Sequence, residues 1–155
     1  MFIILISSLI GLASVNAAIT ASRSIVTKKF TLKSDFGVNS EVYFNCDSVE
    51  NSMRSMLSKM GATDIHVRCT GGIQDPPFEF WDANVTVSYS SLKASSSGNI
   101  DADYRSISID TFDSCVLLSQ LFAEVQDSFD IKDLSGTKTC TELNSSLHLK
   151  MMVLL

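Results

Sequence analysis

CDSVENSMRSMLSKMGATDIHVRCT, residues 46–70, holds two periodicities back to back, and their succession decides the fold class. Val49, Met53, Met56, Leu57 and Met60 fall at i, i+4, i+7, i+8 and i+11, the apolar stripe of an amphipathic helix. Asp47 with Glu50 three residues later resembles a capping box, and Gly61 stands where a left-handed C′ residue would end the helix. Immediately afterwards Ile65, Val67 and Cys69 alternate with His66, Arg68 and Thr70, the pattern of a strand with one buried face. A helix that feeds a one-sided strand predicts an α+β domain.

Upstream, Phe30 and Leu32 alternate with Lys29, Thr31 and Lys33, which predicts a strand over 24–34. The turn residues 35–40 and a second strand over 41–45 would complete a hairpin. Downstream, Val85, Val87 and Tyr89 alternate with Thr86, Ser88 and Ser90 in a strand over 84–92. Residues 93–103, with three serines before Gly98, read as a mobile loop. A short strand over 104–109 follows. Asp110 or Thr111 would cap a second helix to about Gln126, buried more deeply than the first because Val116 and Leu117 widen the face of Phe112, Cys115, Leu118, Leu121, Phe122 and Val125. Phe129 and Ile131 open a last strand or irregular region, and the apolar run 147–155 is expected to pair as a strand or to dock in a groove, since exposed it would aggregate.

The resulting fold class is α+β: an antiparallel-rich sheet with two helices on one face, in a split β-α-β (ferredoxin-like) form with an extra N-terminal strand. Each half holds one cysteine near the start of its helix and one downstream, which suggests Cys46–Cys69 and Cys115–Cys140 among three possible connectivities. The two ideas conflict. In the ferredoxin-like order the strands flanking the helix are two spacings apart, roughly 10 Å, whereas a disulfide needs Cα atoms within about 7 Å.

Compartment is read from the first 18 residues. An apolar run over 1–13 is too short for a stable membrane anchor, and Val15-Asn16-Ala17 fits small-x-small cleavage after Ala17, with Ala18 as the neighbouring option. Residues 1–18 are therefore expected to be a signal peptide, although the usual n-region lysine or arginine is missing. The 137 residues over 19–155 form one small domain. Export to the periplasm or extracellular space makes four cysteines two disulfides rather than a zinc site, for which no Cys-x-x-Cys pair exists, or a catalytic thiolate. No transmembrane anchor is expected after cleavage. A net charge of −5 disfavours nucleic acid, but the charge is uneven: Arg23, Lys28, Lys29 and Lys33 give residues 19–33 a net +4, leaving −9 for the rest. That basic strip could meet an anionic surface, though lysines in such a pattern usually form the wet face of a strand.

Chemistry-bearing motifs are sparse. His66 is the one histidine within the expected folded body, on the polar side of its strand beside Arg68. No Gly-x-Ser-x-Gly elbow occurs. Asp101 with Asp103, and Asp127 with Asp130 and Asp133, lack the EF-hand spacing, and Gly71-Gly72 is too short to cradle phosphate. No metal site or cofactor is expected. Asn84 and Asn144 head N-glycosylation sequons. The feature suited to contact is the loop 71–82, where Phe78, Phe80 and Trp81 follow two prolines: rigid aromatics presented at low entropic cost. The alternative is that these rings close the edge of the core. The leading functional expectation is a non-enzymatic binding module whose partner is another protein or an envelope or extracellular component. A small hydrolase using His66 with a carboxylate, and an accessory subunit completed by a partner, are the alternatives.

Overall fold

The computed structural model describes residues 19–33, 42–74, 79–111, 115–136, 140 and 146–155. The expected signal peptide, the turn over 35–40, Phe78, Phe112 and Asn144 lie outside these residues. Alternation along the first described segment gives β1 (Ile19–Leu32), followed by α1 (Cys46–Lys59) and β2 (Thr63–Thr70). A two-rung hairpin of β3 (Ile73–Gln74) and β4 (Glu79–Phe80) leads to β5 (Ala83–Ala94). β6 (Ile100–Ala102) and β7 (Tyr104–Thr111) precede α2 (Cys115–Val125), and a 3-10 turn at Gln126–Ser128 leads to β8 (Ile131–Gly136) and β9 (Leu147–Leu154).

Two antiparallel sheets result, with orders β2-β5-β1-β6 and β7-β9-β8. Only Asp103 separates β6 from β7. Its N–H donates to the Leu155 carbonyl at 3.1 Å and its carbonyl accepts from Leu155 N–H at 3.0 Å, so one sheet passes into the other. The connectivity repeats. β1-α1-β2-β5 places β5 between β1 and β2, and β7-α2-β8-β9 places β9 between β7 and β8. The split β-α-β is thus built twice, side by side. A single ferredoxin-like sheet would instead have sent the chain from β5 into a helix.

α1 rests on β2 and α2 on β1 and β9, with the helices touching one another. One buried cluster unites Met53, Met56 and Leu57 of α1, Leu121 and Phe122 of α2, Val85, Val87 and Tyr89 of β5, and Leu147, Leu149, Met151 and Val153 of β9. Both helices therefore cover the same side of the joined sheets. Each such aliphatic side chain contributes about 1.5–3 kcal/mol by leaving water. α2 is the more deeply buried helix because Val116, Leu117 and Ser119 are covered as well as its apolar stripe.

The disulfide conflict dissolves in this geometry. Cys46 is the first residue of α1, not the end of a strand. A helix returning antiparallel to its flanking strands starts beside the far end of β2, where Cys69 lies, with Cα atoms 5.3 Å apart. Cys115 opens α2 in the same way and bonds Cys140 beyond β8 across 5.8 Å.

Several local expectations shift. Val42–Asn45 form no strand, because β1 pairs along Ala21–Leu32 with β5 and, on its other side, with β6. The cap of α1 is Asn45 rather than Asp47: its side-chain oxygen accepts from Asp47 N–H at 2.8 Å and Ser48 N–H at 3.2 Å. Gly61 ends the helix as expected, at φ +79°, with Ala62 N–H on the Leu57 carbonyl and Gly61 N–H on the Ser58 carbonyl. Asp110 and Thr111 lie in β7, not at a helix cap. The expected mobile loop after Lys93 is a tight step: β5 continues to Ala94, and the chain crosses β1 at Ala21 to enter β6. Gly98 permits the crossing, since a Cβ there would lie 2.2 Å from the Ala21 carbonyl oxygen. Lys28 also leaves the wet face. It points to the helix side, pairs with Asp127 and donates to the Glu124 carbonyl at 2.5 Å, neutralising the negative end of α2.

Candidate functional site

The site grows from the end of β2. The strand is at the edge of its sheet, and α1 satisfies part of its open backbone. Glu50 accepts from Cys69 N–H at 2.9 Å, and Arg54 donates to the Val67 carbonyl at 3.2 Å while pairing with Glu50 at 2.5 Å. The Cys69 N–H first, and Arg54 next, hold the Glu50 carboxylate below its ordinary range. With the Cys46–Cys69 bond, this fixes the point from which the chain leaves β2 through Gly71-Gly72.

From that base the β3–β4 hairpin projects. Ile73 N–H donates to the Phe44 carbonyl at 3.0 Å, which pins the first side of the hairpin to the segment before α1, and Trp81 N–H donates to the Gly72 carbonyl at 3.1 Å, which ties the second side to the first at its base. Ile73 pairs with Phe80 across the hairpin. The Phe80 ring lies 5.1 Å from that of Tyr43, and Trp81 Nε1–H donates to Glu79 Oε2 at 3.0 Å. Four large apolar side chains stand out into solvent among the described residues: Ile25, Ile73, Phe80 and Trp81. Three of them are here. Phe80 is 54% exposed and Trp81 58%, so these two rings do not close the core. Each still offers roughly 100 Å² to a partner, about 2.5 kcal/mol of gross burial. Phe78 lies outside the described residues. Tyr43 and Ile73 were not singled out from the sequence: the paired prolines masked the hairpin, and only its register reveals Ile73 beside Phe80.

His66 sits on the side of β2 away from the helices, opposite Ser88. Among the described residues it makes no hydrogen bond or ion pair with a carboxylate, so the geometry assembles no catalytic pair around it. Two of the acidic residues considered as calcium ligands are otherwise occupied: Asp127 is paired with Lys28, and Asp130 accepts from Tyr104 Oη at 2.7 Å and from Ala94 N–H at 3.2 Å. No group of three or more metal-ligating side chains occurs among the described residues, and no described helix is long and apolar enough to cross a membrane. Comparison with protein-family models, curated proteins and solved structures finds no match for this chain. Function must therefore be argued from the geometry.

Proposed function

We propose that this chain is an exported binding module of the periplasm or extracellular space that recognises another protein through its aromatic hairpin, with Phe78, Phe80 and Trp81 as its contact residues and Tyr43 and Ile73 beside Phe80. One observation carries the reading: large apolar side chains concentrate in solvent on a hairpin whose base is pinned by a disulfide and by main-chain hydrogen bonds. A half-exposed ring held in place loses little entropy on binding, which is how aromatic anchors contribute affinity. Two disulfides fit an oxidising compartment and a small domain built for it. The alternatives draw less support. His66 has no carboxylate partner among the described residues, and β9, the strand an accessory subunit would leave open to a partner, is paired on both sides by β7 and β8.

The test is affinity capture with the mature chain, residues 19–155, from the fluid of its own compartment. Wild type and a Lys59→Ala control are expected to retain the same partner, and Phe80→Ala with Trp81→Ala to lose it. Equal capture by all three proteins would refute the hairpin as the recognition site.

A further inference from the structure

The side of the first sheet away from the helices presents a second surface, independent of the hairpin. Register defines it row by row: Thr70, Asn84 and Thr31; Arg68, Thr86 and Lys29; His66, Ser88 and Thr27. Directly opposed residues share a face, and the intervening Val67, Val85 and Val87 are in the core, so these nine side chains point outward together. None is acidic. Arg68 and Lys29 stand in one row on either side of Thr86, roughly 10 Å apart at the two-strand spacing, with His66 roughly 7 Å along the strand from Arg68. Lys29, His66 and Arg68 have no hydrogen-bond or ion-pair partner among the described residues, in contrast to Lys28, which is tied to Asp127 and the end of α2. A chain of net charge −5 thus leaves Lys29 and Arg68 without a direct ion pair on a hydroxyl-lined face, Arg68 feeling only the longer-range field of Glu50.

We infer that this face binds a linear sulfated polysaccharide. Spaced cations suit repeating sulfates, and Thr27, Ser88, Thr86, Asn84 and Thr31 supply donors and acceptors for sugar hydroxyls between them. The chemistry of the face favours this polyanion over others. Single-stranded nucleic acid on a sheet requires aromatic platforms for base stacking, and none of the nine residues is aromatic. A membrane surface rewards insertion of several apolar side chains, and this face offers only Ile25, one row beyond the nine.

The experiment uses heparin as the probe, with unglycosylated residues 19–155 so that Asn84 stays bare. Lys29→Ala/Arg68→Ala removes two cations from the face. Lys59→Ala/Lys93→Ala makes the same change in charge elsewhere. The inference predicts wild-type binding that weakens with salt, at least tenfold weaker binding by the first double variant, and less than a twofold change in the second and in Trp81→Ala. Equal losses in the two double variants would overturn it, as would no wild-type binding at low salt. Equal affinity for single-stranded DNA or for vesicles of anionic phospholipid would also overturn it, by reducing the contact to bulk charge. Because Trp81→Ala leaves heparin binding intact, failure of the hairpin proposal and failure of this one are read separately.

Discussion

Replacing each disulfide in turn by a pair of alanines separates what the cross-links do for this fold. The sequence separations are nearly equal, 23 for Cys46–Cys69 and 25 for Cys115–Cys140, so chain entropy assigns each about 3.5 kcal/mol. Their surroundings differ. Cys115 is 1% exposed and Cys140 5%, both within the main core, whereas Cys46 and Cys69 are half-buried below the hairpin. Removing the buried sulfurs leaves a cavity that adds about 1 kcal/mol. Cys46→Ala/Cys69→Ala should therefore cost about 3.5 kcal/mol and Cys115→Ala/Cys140→Ala about 4.5. Each is a large share of the 5–15 kcal/mol that stabilises a typical domain. Urea unfolding followed by circular dichroism provides the measurement. A denatured sample of the wild-type protein should show no free thiol, and limited reductant should open Cys46–Cys69 first. A loss below about 1 kcal/mol in either variant, or a costlier N-terminal replacement, would refute the reasoning.

Gly98→Ala should destabilise by more than about 3 kcal/mol, because its Cβ would meet the Ala21 main chain, which cannot yield without breaking the β1 pairings; a thermal melt unchanged within about 2 °C would contradict this. Tyr89 is fully buried and stacked on Phe129 at 5.6 Å, and its hydroxyl approaches the Ser128 side chain without forming a well-aligned hydrogen bond among the described residues. Tyr89→Phe keeps the stack and should leave stability unchanged or raise it by up to about 1 kcal/mol, and a measured loss larger than that would be inconsistent. Burial first, and the hydrogen bond to Asp130 next, push the Tyr104 phenol up to about 12 from an ordinary 10.0. The fold favours the neutral phenol, so this contribution is complete below pH 10 and is lost as pH rises through about 12. Tyr104→Phe should flatten that alkaline loss in unfolding titrations, and an unaltered profile would exclude the mechanism.

Much of the fold was legible because its elements are amphipathic in the simplest sense. The stripe of α1, the alternation of β2 and β5, and the apolar run that becomes β9 each state their period within a few residues. Local disulfide pairing was legible too, from the repeated placement of a cysteine at a helix start. The doubled connectivity was not, since whether β1 pairs with its neighbour in sequence or with β5 depends on long-range packing rather than on any residue in β1. The N-cap slipped by two residues because Glu50 is spent on the edge of β2, so the capping-box spacing was real but served another contact. Lys28 was misplaced for a related reason. Two adjacent lysines in a strand must face opposite ways, and only the position of α2 shows which one is drawn inward. At the candidate site the aromatic residues were visible in the sequence. Their partners Tyr43 and Ile73 required the register of a hairpin interrupted by two prolines.

Amide hydrogen exchange of residues 19–155, with and without the captured partner, tests the recognition claim most directly. If Phe80 and Trp81 anchor the partner, exchange should slow across Gly72–Gln74 and Glu79–Asp82, while α2 and β9 keep the protection they have in the free protein. Protection confined to other elements, with the hairpin exchanging as fast as before, would contradict the account.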